Sequence, residues 1–303
     1  MIISEAIQLY VTRMQALGFD YERHKRDLDS FCLFVRNKSV RTISSEDVTS
    51  YLNRSPIGTC TRRGKYDRLA KFFRYLVQVG KMASAPLPKP PRWVKASFLP
   101  YIYTRAEILK MLEPSLVAQA VTNPNQRNVL DADTVRRFLL FLYGTGVTVR
   151  EALNLEWKDV DLKKREISVT KRMGTIARTI PISPDATKLL RRQRSTVRQT
   201  RTDYCFQTID GRKIAHPTLV CAFRRIRELS GIIRSGDAKH QPRMHDLRIT
   251  FAVHRLSSWY NAGQDASVMI PALAAYMGFN TLSIMRYLFL VPEHYRRTAD
   301  IHL

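Results

Sequence analysis

Apolar residues recur at helical spacing along the first eighty positions. Ile7, Tyr10, Val11 and Met14 share one face, and Leu28, Phe31 and Val35 share another. Ser44-Ser45-Glu46-Asp47 has the form of a capping box and predicts a short helix through Tyr51 and Leu52. A longer helix is predicted from Thr59 to Val79, with Leu69, Phe72, Phe73, Leu76 and Val77 turned inward. Four prolines then fall within Met82–Pro91, which cannot continue a helix and predicts a stiff, extended linker. Beyond it, Thr104-Arg105-Ala106-Glu107 opens another capped helix, expected over 105–112, followed by one over 133–142. Glu166–Thr170 and Ala177–Ile182 alternate as strands around a turn at Met173-Gly174, and Thr202–Thr208 predicts a third strand ended by Asp210-Gly211. Helices are expected over 185–198 and near 217–230, 247–262, 270–278 and 281–290. The fold class is therefore mainly α with a small antiparallel β-sheet. The organisation is a helical domain at 1–80, a linker at 81–99 and a second domain at 100–303.

Composition narrows the class. Among 303 residues, 45% are hydrophobic and 25% charged, enough apolar side chain for two cores and against disorder as the main state. No apolar run approaches the ~20 residues a bilayer span needs. The first residues lack a basic-then-apolar leader, so a cytoplasmic protein is expected. Cys32, Cys60, Cys205 and Cys221 are scattered without a CxxC pair, so neither a metal site nor a disulfide framework is expected.

Charge changes the picture more. Lys and Arg number 50 against 26 Asp and Glu, a formal net charge of +24 spread along the chain. That balance points to a polyanion, and dispersed charge fits nucleic acid better than a membrane surface. The predicted 59–79 helix carries Arg62, Arg63, Lys65, Arg68, Lys71 and Arg74, interrupted only by Asp67. Such a face can bind phosphates or can simply be solvated; the scarcity of acidic partners favours phosphate.

Candidate chemistry lies in His245-Asp246-Leu247-Arg248-Ile249-Thr250-Phe251-Ala252-Val253-His254. His245 and Arg248, three apart, share a helix face, where a guanidinium beside an imidazole can clasp a phosphate and handle a proton. Upstream stand Tyr143-Gly144-Thr145-Gly146-Val147-Thr148-Val149-Arg150-Glu151 and Asp159-Val160-Asp161-Leu162. Downstream stand Ala275-Tyr276-Met277-Gly278-Phe279, then Arg286-Tyr287-Leu288 and Pro292-Glu293.

In this order the segments resemble the tyrosine recombinase (phage integrase) family over almost the whole chain, most of all its transposon and plasmid integrase/recombinase group. The resemblance implies an N-terminal helical core-binding domain and a catalytic domain clamping DNA, and strand exchange by four protomers on paired sites. It implies attack of Tyr287 on a phosphodiester to give a 3′-phosphotyrosyl link, with Arg248 holding the phosphate and His245 assisting. A hairpin lysine protonates the leaving 5′-oxygen. The ester conserves the bond energy, so no metal, nucleotide or other cofactor is implied. Tyr276 and Tyr295 fit the spacing less well than Tyr287, for which a helix-packing role stays open.

Three catalytic positions depart from the family pattern, besides Ile249, which follows the arginine where many relatives have histidine. Thr148 stands where the first box has arginine, and Arg150, two residues on, is turned by ~200° in a helix. Met173 occupies the hairpin-lysine position, with Lys171 on the same strand face. Phe279 replaces the histidine of the Leu-Gly-His element. Arg150 and Lys171 either compensate or are plain surface residues. The resemblance thus leaves two readings: a site-specific DNA recombinase of a mobile element, or a catalytically impaired homologue acting as DNA-binding partner of a sister recombinase or surviving as a relic. A basic RNA-binding protein would leave the ordered motifs unexplained.

Overall fold

The computed structural model describes residues 1–19, 21–56, 59–90, 99–122, 129–169, 177–196, 203–236 and 240–278. The chain divides into two compact units, Met1–Ser97 and Phe98–Leu303.

The first unit is built from four helices, α1 (Ile3–Ala16), α2 (Glu22–Phe34), α3 (Ser45–Asn53) and α4 (Cys60–Gln78). Each contributes one apolar stripe. Ile3, Ile7, Tyr10 and Val11 meet Leu28, Phe31, Tyr51 and Leu52, with Phe72, Phe73 and Leu76 of α4 closing the core. Local chemistry sets the ends: Ser44 and Asp47 form the capping box of α3, and Thr59 Oγ1 accepts from the Arg62 amide to open α4. Met82, Ala85 and Leu87 of the proline-rich segment pack against this core, and the Tyr66 hydroxyl donates to the Pro88 carbonyl at 3.1 Å.

The second unit follows with α5 (Arg105–Met111), α6 (Pro114–Val121), α7 (Ala132–Thr145) and α8 (Val149–Asn154). A small sheet of β1 (Val160–Asp161), β2 (Glu166–Val169) and β3 (Arg178–Pro181) comes next, then α9 (Pro184–Thr196), α10 (His216–Leu229), α11 (Asp246–Asn261) and α12 (Ala266–Met277). The sheet is antiparallel in the order β1-β2-β3, with Ile167 opposite Ile180 and Val169 opposite Arg178. Its inward residues join Phe138, Leu142, Leu153, Phe206 and Leu219 in one core. Every residue from Asp246 to Val253 is buried, so the front half of α11 runs through the middle of the unit. No described helix is long and apolar enough to cross a membrane.

Two elements differ from the sequence expectation. Helix α6, opened by Pro114 at its first turn, was not anticipated; it is too brief to show a clear apolar period. Among the described residues, the expected third strand at 202–208 makes only isolated bridges, Tyr204 to Glu156 and Gln207 to Lys213. The Thr208 hydroxyl takes the Arg212 amide and donates to the Arg212 carbonyl, so the segment curls into a turn instead of extending. The expected helix near 281–290 lies outside the described residues.

Candidate active site

The first turn of α11 begins where Asp246, fully buried, accepts the Arg243 amide at 2.9 Å and the Arg243 guanidinium at 3.0 Å. Thr250 Oγ1, itself donating to the Asp246 carbonyl, receives the Tyr103 amide at 3.0 Å, and the Tyr103 hydroxyl reaches the Arg243 carbonyl. These bonds pin the turn that presents His245 and Arg248.

Arg248 is only 3% exposed. It donates to the Gly146 carbonyl at the α7–α8 junction and, at 2.6 Å, to the Met277 carbonyl at the end of α12. Its Nη1 lies 3.9 Å from the Glu151 carboxylate. A buried guanidinium needs such compensation, and the C-terminal carbonyls of a helix supply partial negative charge. Gly146 is required for this approach: its φ is +61°, and a Cβ there would sit 2.3 Å from the Phe251 ring.

Glu151 belongs to a capping box with Thr148, accepting the Thr148 amide at 2.7 Å while Thr148 Oγ1 takes the Glu151 amide. Its carboxylate also accepts Arg178 Nη1 at 2.8 Å and Nη2 at 3.3 Å. Burial pushes this carboxyl up, but the Arg178 bonds, the Thr148 amide and the Arg248 charge together hold it below its ordinary value. His245 opens to solvent, yet the protein packed about it, then Arg248, keeps its imidazole below the ordinary value. It is therefore neutral near pH 7 and able to accept a proton.

The positions named from the sequence fare differently. His245 and Arg248 are brought to one end of α11. Thr148, at the family's arginine position, is the N-cap of α8. Arg150 is exposed and makes no described contact with Arg248, Glu151 or Arg178. Lys171, Met173, Phe279 and Tyr287 lie outside the described residues. Tyr276 packs: its ring stacks on Phe251 with centroids 5.8 Å apart, its hydroxyl reaches the Pro181 carbonyl, and burial lifts its phenol to about 12.

On α4, Arg68 pairs with Asp27 at 2.6 Å and Arg63 with Asp67 at 3.0 Å. Arg62 donates to Asn53, and Lys65 to Ser55 while lying over the Tyr51 ring. Lys71 and Arg74 are exposed and make no ion pair among the described residues. Arg178 was missed as a site residue by sequence reasoning. Its signal is weak, since it is one arginine of a strand in a chain full of arginines. A second group also escaped notice: the Tyr143 hydroxyl is 2.9 Å from His254 Nδ1, and burial, then Arg105, lowers the His254 value. Among the described residues no cluster of three His, Cys, Asp or Glu could hold a metal.

Residues 110–287 match the phage integrase family. An integrase/recombinase, y4rB of Sinorhizobium fredii, is 26% identical over 293 residues, covering 90% of this chain and 88% of that protein. The tyrosine recombinase XerC of Roseiflexus sp. is 26% identical over 273 residues, covering 86% and 79%. The fold is similar to that of lambda integrase, seen as a tetramer bound to a Holliday junction, with a TM-score of 0.63 at 15% identity, covering 94% of this chain and 77% of that one.

Proposed function

Because the chain belongs to the phage integrase family, we propose that it is a site-specific DNA recombinase, encoded by a mobile element, that cuts and rejoins DNA through a 3′-phosphotyrosyl intermediate. The observation that carries this reading is the cation site at the head of α11. Arg248 is fixed by two backbone carbonyls with Glu151 beside it, and His245 stands neutral one turn away. A guanidinium so held needs no rearrangement to meet charge developing on a phosphate, which is where preorganised donors count most.

The Tyr287 oxygen attacks the scissile phosphorus, the phosphotyrosyl bond forms, and the bond to the 5′-oxygen breaks. His245 accepts or shares the tyrosine proton, and Lys171 delivers one to the leaving oxygen. Lys171 takes the part of the hairpin lysine in place of Met173, whereas Arg150, exposed and in no described contact with Arg248, is left as the compensating candidate for Thr148. The step is isoenergetic in ester bonds, so rejoining is the same chemistry run backwards. DNA binding is shared between a helical domain at 1–80, through the cations of α4, and a catalytic domain at 100–303, with 81–99 as the strap. Lambda integrase, whose fold is similar, forms a tetramer on a Holliday junction, and four protomers on paired sites is the assembly we assign here, acting in the cytoplasm.

Covalent trapping tests the reading. The protein and Tyr287→Phe are incubated with nicked duplexes taken from the DNA flanking its own coding sequence, then separated on a denaturing gel. An adduct formed by the wild type and absent from Tyr287→Phe is expected. Tight DNA binding without adduct, even with a sister recombinase present, would leave a DNA-binding partner in place of an enzyme.

A further inference from the structure

Helix α12 ends with its last carbonyls pointing at two arginines. Arg178 Nε donates to the Tyr276 carbonyl at 2.8 Å, and Arg248 Nη2 to the Met277 carbonyl at 2.6 Å. The next residue, Gly278, has φ +68°, and a Cβ there would lie 2.9 Å from Arg178 Nη1. Glycine thus permits both the left-handed turn and the close approach of the guanidinium. The other edge of the same guanidinium holds the Glu151 carboxylate through Nη1 and Nη2. The Arg178 side chain is 8% exposed, as is that of Glu151, so neither is a surface ion pair.

We infer that Arg178 is a positioning residue of this site: held by Glu151, it caps the C-terminal turn of α12 and fixes where the chain leaves Gly278 on its way to Tyr287. The sequence resemblance gives it no role, and the inference rests on the proposed function for its catalytic consequence.

The chemistry of the side chain fits the task. A helix end leaves carbonyls without intrahelical partners, and their partial negative charge favours a cation. Arginine has a planar fork whose edges can serve two acceptors at once, whereas lysine offers a compact charge that can serve only one well. Arg178 is the first residue of β3 and stands opposite Val169 in the sheet. Glu151 sits on α8, three residues after Thr148. The cluster therefore joins β3, α8, α11 and α12 at one point. The direction in which the chain leaves Gly278 is set at that point, and reacting atoms tolerate little misplacement, so the placement of the nucleophile assigned above is sensitive to it. Arg248 shares the α12 terminus with Arg178 through the Met277 carbonyl, but its bond to the Gly146 carbonyl and the nearby Glu151 charge do not involve α12, so phosphate binding is expected to survive the loss of Arg178 better than nucleophile placement does.

The test uses the full chain, the nicked duplexes described above and three variants, Arg178→Ala, Arg178→Lys and Arg178→Ala/Glu151→Gln. Arg178→Ala is expected to bind DNA within about twofold of the wild type while its adduct forms at least about tenfold more slowly. Arg178→Lys falls between the two. Hydrogen exchange of the amides at 274–278 rises at least about tenfold in Arg178→Ala, with the amides at the start of α12 unchanged. Glu151 faces Arg178 from β3, Arg248 from α11 and the Thr148 amide at the start of its own helix; losing the first raises the pH at which Glu151 takes up its proton, and the acidic limb of the adduct rate moves to higher pH with it. The double variant removes that shift, which loss of packing alone would not produce. An adduct rate that falls in step with DNA affinity, or exchange at 274–278 that does not change, overturns the inference. If the wild type forms no adduct, the proposed function fails, while the exchange experiment still decides whether Arg178 caps α12.

Discussion

Two cationic regions of this chain use their positive charge in opposite ways. Around Arg248 and Arg178, two guanidiniums are buried with one carboxylate and three backbone carbonyls as partners. On α4, Lys71 and Arg74 face solvent, while Arg62, Arg63, Lys65 and Arg68 are held by neighbouring side chains. The buried pair is costly to desolvate and fixed in place; the exposed pair costs little and is screened by salt. Only the first can be aimed at a single phosphate oxygen, and only the second can be changed without disturbing the fold.

The sharpest way to break the contrast is Glu151→Gln. It leaves two buried arginines without their shared counter-charge, a loss of about 3 kcal/mol or more by analogy with broken buried pairs. A lower denaturant midpoint at unchanged slope checks it. The sign with pH follows from the depressed Glu151 value. The unfolded carboxyl binds its proton more readily than the folded one, so the stabilisation is complete above about pH 4.3 and is lost as pH falls through the folded value. Glu151→Gln flattens that acid limb. A variant as stable as the wild type would mean that the carbonyls alone hold both arginines.

Gly146→Ala comes next. Its φ of +61° and the 2.3 Å approach to Phe251 each oppose a Cβ. Strain and overpacking together cost about 2 kcal/mol. The same peptide supplies a carbonyl to Arg248, so adduct formation should fall further than stability accounts for. Thermal denaturation alongside covalent trapping separates the two.

What the sequence disclosed and what it hid follow from range. The capping boxes at Ser44 and Thr104 are complete within four residues, and both are present. The buried stripe of α4 is periodic, and His245 and Arg248 are three residues apart. Arg178 and Glu151, by contrast, are 27 residues apart, and Arg178 and Tyr276 are 98 apart. No local pattern marks such pairs, and in a chain with 50 basic residues one more arginine carries no signal. The segment at 202–208 misled for a related reason. Its alternation is that of a strand, but its backbone bonds form only short bridges to the segment 155–157 before the chain closes into a turn at Thr208.

On α4 the expected effects are smaller and of another kind. Lys71→Ala/Arg74→Ala should leave the denaturation midpoint unchanged and weaken DNA binding uniformly across sequences. The slope of log affinity against log salt should flatten by about 1 for each phosphate that is no longer neutralised. Arg68→Ala should do the reverse, lowering stability through its Asp27 partner with little change in salt slope. If Lys71 and Arg74 leave the slope untouched, α4 is a solvated face and the DNA is held elsewhere.

The smallest effect concerns the imidazoles of α11. His245 and His254 are both held below the ordinary histidine value, first by the protein packed about them and then by Arg248 and Arg105 respectively. In the unfolded chain each takes up a proton near pH 6.5, whereas in the folded chain each resists it to lower pH. The unfolded state therefore binds more protons in that window, and stability must decline as pH falls through about 6.5 and onward. His254 carries this most cleanly, because its Nδ1 meets the Tyr143 hydroxyl and, among the described residues, no acid lies beside it to reward protonation. Denaturation midpoints at pH 7.5 and 5.5 should differ for the wild type and differ less for His254→Gln, with Tyr143→Phe close to the wild type in slope. An equal decline in His254→Gln would place the whole effect at His245, beside the buried cation, and would tie the acid sensitivity of the fold to the site itself.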